Sequence, residues 1–347
     1  MKAVIHPFSL ALSTPFETAA GTITRREGFV LELQTESSVG YGEATPLPGW
    51  TESFRACELR LEAATAALEA DDPAGARDAC ADHPAARHAV DLAILDARSR
   101  RADRPLHRYL GATDTVEAVP VCATIDDAPA EATVAAATTA TDAGYSCLKL
   151  KVGARTPDAD ARRVRRVHEA TPGDTIVRVD ANGAWSSDAA HGFLDALGSV
   201  APPLLEQPMA STDLSGHAAL RDTGAPVALD EAVVEHGLEA IVAADAADAV
   251  VLKPMAIGGI ERSHQAAQTA LDQGVTPILS TTFDAALART AASHIAATLP
   301  APTPAGLATG DRLVTDLVDE SPRVHDGVLD VPEGNGNGLA PTTPDDA

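Results

Sequence analysis

The chain reads as an α/β protein, a parallel (β/α) barrel of the TIM type behind an N-terminal α+β capping domain. Three observations predict it. From about residue 117, short β-branched runs alternate with alanine-rich helical stretches; the polar residues that end these runs recur at nearly even spacing; and the first hundred residues follow another order, strands first and helices after. The expected division is a capping domain over residues 1–115 carrying a substrate-covering loop, a barrel over 116–312, and a C-terminal segment over 313–347. That segment should return to the capping domain and end in a loop or tail.

Each element has its own justification. Val4 to Ser13 and Gly28 to Gln34 alternate or run apolar, as half-buried strands do. A turn rich in glycine and proline follows (Gly40, Gly42, Pro46, Pro48, Gly49), then helical spacing of apolar residues over 52–69 and 85–98. The barrel strands are VPVCAT, SCLKLKV, TIVRVDA, PPLLEQP, APVALDE, DAVVLKP and VTPILS, with a last one near Ala305 to Ala308. Their terminal residues Lys149, Asp180, Glu206, Asp230, Lys253 and Ser280 lie 31, 26, 24, 23 and 27 positions apart by subtraction, the length of one βα unit. The stretch from Val331 to the end reads as loop, and its GNGNG, which neither follows a strand nor opens a helix, is not a nucleotide cradle.

Composition excludes several functions. With 347 residues and 45% apolar content the chain can bury a full-size core. Fifty acidic against 26 basic residues give a formal charge of −24, a field that repels phosphate backbones and anionic headgroups, so no nucleic-acid or membrane partner is expected. The same acidic, lysine-poor texture suits a salt-loving host. No apolar run of spanning length and no secretory leader is visible, and Cys57, Cys80, Cys122 and Cys147 have no metal-ligand spacing. A cytoplasmic protein with buried thiols follows. The eleven histidines show no HxH or HExxH pairing and receive no role.

The chemistry lies where the strands end. The carboxyl ends of a parallel barrel share one face, so Asp180, Glu206 and Asp230 should converge there. Oxygen-only ligation without histidine or thiolate selects a hard cation, Mg²⁺ first and Mn²⁺ second, and Asn182 in the same DxNG turn adds an amide. Only four lysines occur in the chain, and three of them, Lys149, Lys151 and Lys253, sit on these strands. Lys149 and Lys151, two apart, should point into the barrel, where two ammonium groups beside a dication are each easier to deprotonate. Lys253 should stand on the opposite wall. A metal-held anion between lysines fits proton abstraction beside a carboxylate, on a small-molecule substrate. Paired lysines and acids with a purely structural role, in a barrel that only binds a ligand, are the competing reading.

KLK at 149–151, DAN at 180–182, EQP at 206–208, DE at 230–231 and LKPMAIGG at 252–259 resemble the enolase superfamily in its muconate-lactonizing branch, and GYGEATPLPGWTES at 40–53 resembles that branch's capping domain. The resemblance implies a mobile covering loop over residues 14–26. Within the branch, GEATPLPGW and the late ILSTTFDAALARTAASHIAATLP with AGLATGD are most similar to the o-succinylbenzoate synthases of menaquinone biosynthesis. It also implies roles: Lys151 as base and then acid, Lys253 as a cation over the opposite face, Lys149 as a carboxylate contact, and Asp180, Glu206 and Asp230 as ligands of Mg²⁺. Asn182, Ser280 and Thr281 would touch substrate. Two departures stand out. Asp284 occupies a position where many relatives carry Glu, and Asp311 stands alone where dipeptide epimerases carry Asp-x-Asp. Dipeptide epimerase, N-acylamino-acid racemase and cycloisomerase are the alternatives on the same scaffold.

Overall fold

The computed structural model describes residues 1–18, 21–200 and 204–342. Three antiparallel strands open the chain, β1 (Lys2–Thr18), β2 (Gly21–Gln34) and β3 (Val39–Ala44), in the order β1-β2-β3. β3 corrects the sequence reading, which put Gly40 and Gly42 in a turn. These glycines are strand residues whose missing side chains let a helix lie directly on the sheet: a Cβ at Gly40 would stand 2.1 Å from the Ala93 carbonyl oxygen, and one at Gly42 1.9 Å from that of Ala89. Residues 14–26 form the far end of the β1–β2 hairpin, in register from Phe16↔Ile23 to Thr18↔Gly21, and the two tip residues lie outside the described ones.

Four helices follow, α1 (Phe54–Glu69), α2 (Pro73–Ala79), α3 (Pro84–Arg101) and the short α4 (Leu106–Tyr109). The sequence reading anticipated α1 and α3 and missed α2 and α4, which offer too few residues for a 3.6 period to show. Ser53 caps α1 by accepting from the Ala56 N–H at 3.3 Å. α3 is buried on nearly every face, because it is wedged between the capping sheet and the barrel.

The expected strand VPVCAT divides in two. β4 (Ala118–Pro120) leaves the barrel to pair with the C-terminal hairpin of β12 (Val324–His325) and β13 (Val328–Asp330), and β5 (Ala123–Ile125) begins the barrel sheet. That sheet continues through β6 (Cys147–Lys151), β7 (Ile176–Asp180), β8 (Leu205–Glu206), β9 (Val227–Leu229), β10 (Ala249–Leu252) and β11 (Thr276–Leu279), all parallel and in sequential order. The eighth position is held by single bridges, Ser280↔Gly306 on one side and Val121↔Ala305 on the other, supported by Gly306 N–H to the Leu279 carbonyl at 2.8 Å and Cys122 N–H to the Ala305 carbonyl at 2.9 Å. The ring therefore joins β11 to β5 through a segment with no strand ladder of its own, which is why its signal in the sequence is weak.

Side-chain alternation places the site. On β6, Leu148 and Leu150 are fully buried among the outer apolar residues, while Cys147, Lys149 and Lys151 take the other face. On β7, Arg178 and Asp180 share a face, and the Arg178 guanidinium donates to the Pro304 carbonyl at 2.8 Å beneath the eighth strand position. A small apolar layer of Ala228, Ala249, Val251 and Ile278 fills the interior below the charged residues. All four cysteines are buried free thiols, and no described helix is long and apolar enough to cross a membrane.

Candidate active site

Lys149, Lys151, Asp180, Asp230 and Lys253, at the ends of β6, β7, β9 and β10, line a cavity of about 830 Å³, bordered also by Trp50 of the capping domain and by Asp311 and Arg312 of a short 3-10 turn (Gly310–Arg312) beyond the eighth strand position, while Glu206 at the end of β8 is buried and does not line it. Lys151 Nζ lies 2.7 Å from Asp180 Oδ2 and 2.8 Å from Asn182 Oδ1. Lys149 Nζ bridges Glu206 Oε1 at 2.9 Å and Asp180 Oδ2 at 3.3 Å. Across the cavity, four strands away, Lys253 Nζ is 2.6 Å from Asp230 Oδ2. The structure thus brings together every lysine and carboxylate expected from the strand ends.

Backbone geometry holds these groups in place. Asn182 sits at φ +45°, a left-handed conformation that asparagine tolerates, and its N–H donates to Asp180 Oδ1 at 3.0 Å. Its side-chain amide spans the cavity floor, accepting from Lys151 and donating to Glu231 Oε1 at 3.1 Å. Gln207, the middle residue of EQP, is fully buried, and its Oε1 accepts from the N–H groups of Asp230 and Ala232 at 3.0 and 3.2 Å. It fixes the end of β9 relative to β8, a role that the sequence reading did not assign.

Electrostatics separates the three acids. Burial alone would raise the Asp180 carboxyl, but Lys149 and Lys151 together hold it below the usual carboxylate range. Glu206 is pushed up by burial and by the neighbouring Asp180 charge, against Lys149. Asp230 is likewise raised by burial, with Lys253 opposing and Glu231 adding to the rise. Burial pulls the Lys149 ammonium down, yet Glu206, Asp180 and Asp230 outweigh burial and hold it well above the ordinary lysine range.

The acids do not form a ready-made cage: among the described residues no three His, Cys, Asp or Glu side chains stand at metal-holding geometry, because their oxygens are turned onto the lysines. The donor set nonetheless fits a hard cation. It is all oxygen and buried, and Asp230 Oδ1 is buried with no hydrogen-bond partner, an arrangement that costs about 1–3 kcal/mol unless a cation or donor arrives.

The remaining expected residues are placed less directly. Ser280 Oγ donates to the Gly306 carbonyl at 3.4 Å and so supports barrel closure, while Thr281 Oγ1 lies 3.3 Å from Thr309 Oγ1; both border the cavity. Asp284 does not border it. It is buried beside the domain seam, accepting from Thr282 Oγ1 at 2.6 Å. Asp311 does border it, and its carbonyl accepts from Ser13 Oγ at 3.0 Å, which ties the capping hairpin to the short turn after the eighth strand position.

Two further residues escape the sequence reading. Arg312 donates to both oxygens of Asp126, at 3.0 and 3.1 Å, at the cavity edge. Trp50 lies with its ring centroid 3.5 Å from Lys253 Nζ. Its signal was present in PLPGW, since it is one of only two tryptophans in the chain.

Residues 2–111 match the mandelate racemase / muconate lactonizing enzyme N-terminal domain and residues 132–345 the enolase C-terminal domain-like family. The chain belongs to the enolase superfamily. It is 32% identical to a hydrophobic dipeptide epimerase of Citrifermentans bemidjiense over 86% of this chain and 85% of that one. It is 30% identical to an N-succinylamino acid racemase of an Amycolatopsis species, over 96% and 92%, and 29% identical to an o-succinylbenzoate synthase of Pectobacterium atrosepticum, over 89% and 92%. Among solved structures, the dipeptide epimerase of Enterococcus faecalis V583, complexed with Mg and the dipeptide L-Leu-L-Tyr, superposes with a TM-score of 0.87 at 27% identity, covering 97% of this chain and 98% of that one. These superfamily members include epimerases, racemases and lyases, so family membership specifies the shared scaffold and leaves the reaction to the cavity.

Proposed function

We propose that this protein is an o-succinylbenzoate synthase, dehydrating 2-succinyl-6-hydroxy-2,4-cyclohexadiene-1-carboxylate to o-succinylbenzoate in a route to menaquinone. The observation that carries the choice is the two-oxygen contact of Arg312 with Asp126. A dipeptide presents an ammonium group and calls for free acid at the cavity edge, but here one of the two edge acids is already engaged and Asp311 is left alone. A substrate bearing carboxylates suits a cavity with lysines at its base.

In this reading Asp180, Glu206 and Asp230 would hold Mg²⁺, or Mn²⁺ in its place. A bound dication supplies positive charge against the negative charge that develops on the substrate carboxylate when the adjacent proton leaves. Lys149 binds that carboxylate as a permanent cation. Lys151, as the free amine, takes the proton from the carbon beside the carboxylate; when the C–O bond to the ring hydroxyl breaks, it gives the proton to the departing oxygen, so water leaves and the ring becomes aromatic. Lys253 faces the opposite side of the substrate as an ammonium and stabilises the transient negative charge. Asn182 orients Lys151, and Ser280 and Thr281 border the substrate.

A second reading is supported by the same opposed lysines, since removal of a proton on one face and its return on the other is racemisation or epimerisation. Incubation of the protein with Mg²⁺ and the cyclohexadiene substrate separates the two. Appearance of the aromatic product is the expected result. Absence of that product, with exchange of the α-proton of N-succinylamino acids or dipeptides instead, overturns the synthase reading.

A further inference from the structure

We propose that Trp50 is a positioning residue for Lys253: the capping domain uses the face of this indole to hold the lysine ammonium in place on its wall of the barrel. The inference rests on the role given to Lys253 in the proposed function and adds a residue from the other domain to it.

Lys253 follows β10, and its ammonium has two partners. Asp230 Oδ2 lies on one side at 2.6 Å, and the Trp50 ring centroid is 3.5 Å away. A cation over an indole face is attracted by the ring quadrupole, and the attraction grows where water is excluded; the Lys253 side chain is only 12% exposed. A carboxylate alone fixes an ammonium through one contact and leaves a four-carbon stem free to swing. A flat ring adds a surface that limits that swing.

Trp50 itself is rigidly presented. Its loop is a tight turn in which the N–H groups of Trp50 and Thr51 both donate to the Leu47 carbonyl at 2.9 Å, and Thr51 Oγ1 accepts from the Leu47 N–H at 2.7 Å. Gly49 at φ +99° supplies the conformation that the turn requires. The loop is in turn anchored to the capping sheet and the barrel. Arg26 of β2 is buried and donates to the carbonyls of Thr45 and Pro46, at 2.8 and 3.2 Å, and to that of Phe283 beyond β11 at 3.2 Å. The position of the capping domain is thereby transmitted to one lysine of the barrel through an aromatic face.

The test uses the full-length, Mg²⁺-supplemented protein with 2-succinyl-6-hydroxy-2,4-cyclohexadiene-1-carboxylate. Trp50→Leu should lower kcat about tenfold with KM within about threefold of wild type, and Trp50→Phe should restore most of the loss because a ring face returns. Lys253→Ala serves as the reference. If it abolishes turnover while Trp50→Leu behaves as wild type, the positioning inference is overturned and the function stands. If Trp50→Leu and Trp50→Phe are equally impaired, the ring face is not the cause and the inference is also overturned. An independent arm needs no turnover. In a Trp185→Phe background, Trp50 is the sole tryptophan, and Lys253→Met should alter its emission intensity. Identical spectra would overturn the contact even if the protein proves silent on this substrate, and that silence would count against the proposed function alone.

Discussion

Two groups of buried acids, one at the strand ends and one at the seam between the domains, differ in what satisfies them. At the seam, Asp96 accepts from the N–H groups of Tyr41 and Asn337 at 2.8 and 2.6 Å and from Arg100 at 3.0 Å. Glu43 accepts from the N–H groups of Ala285 and Ala288 at 2.8 and 2.9 Å and from the Thr45 hydroxyl. Backbone donors cannot leave, so these carboxylates are structural pins. At the strand ends, Asp180, Glu206 and Asp230 rely chiefly on lysine ammonium groups, and one Asp230 oxygen has no partner. Mobile donors and an unfilled lone pair mark acids that another cation can claim. Burial alone does not separate the groups; the kind of donor does.

Substitutions should break this contrast in opposite directions. The largest effect is expected from Lys151→Ala, which removes the proposed base and should lower turnover about 10³-fold while Mg²⁺ binding, followed by calorimetry, persists. Next, Asp96→Ala strands three donors at the seam and should cost about 3 kcal/mol in chemical denaturation, with no direct effect on chemistry. A smaller effect comes from His294, fully buried against His107 and pushed down to about 3 by burial and by that neighbour. An unfolded histidine takes its proton near 6.5, so this site favours the fold fully above that pH and loses its contribution as pH falls toward 3. By pH 5 the wild type should have lost about 2 kcal/mol that His294→Gln does not lose, measured as the difference in denaturation midpoints between pH 7.5 and 5. The smallest effect sharpens the comparison. Asp230→Asn should weaken Mg²⁺ by at least about tenfold while costing less stability than Asp96→Ala, because an amide oxygen can still accept from Lys253.

The strand ends were legible because a parallel barrel converts even spacing into convergence. Lys149, Asp180, Glu206, Asp230 and Lys253 needed no long-range information beyond the βα repeat. The fold was less legible where tertiary contacts override local pattern. Gly40 and Gly42 signal a turn locally and serve a strand because α3 lies on them, and the eighth strand position is held from both sides by single bridges. The GNGNG run reads as loop and has no regular structure, yet Asn337 within it is buried and donates to Asp96 and to the Leu287 carbonyl at 3.0 Å. Contacts between distant segments, such as Trp50 on Lys253 and Arg312 on Asp126, leave no trace in spacing. Only the rarity of tryptophan pointed toward the first.

The strand-end cluster is proposed to move a proton beside a carboxylate, with Lys151 carrying it. The most direct measurement follows the cyclohexadiene carboxylate by proton NMR with Mg²⁺ present, comparing wild type with Lys151→Ala. Aromatic product from the wild type, with neither product nor loss of the α-proton in Lys151→Ala that still binds Mg²⁺, is the predicted result. Product formation by Lys151→Ala at the wild-type rate would contradict it.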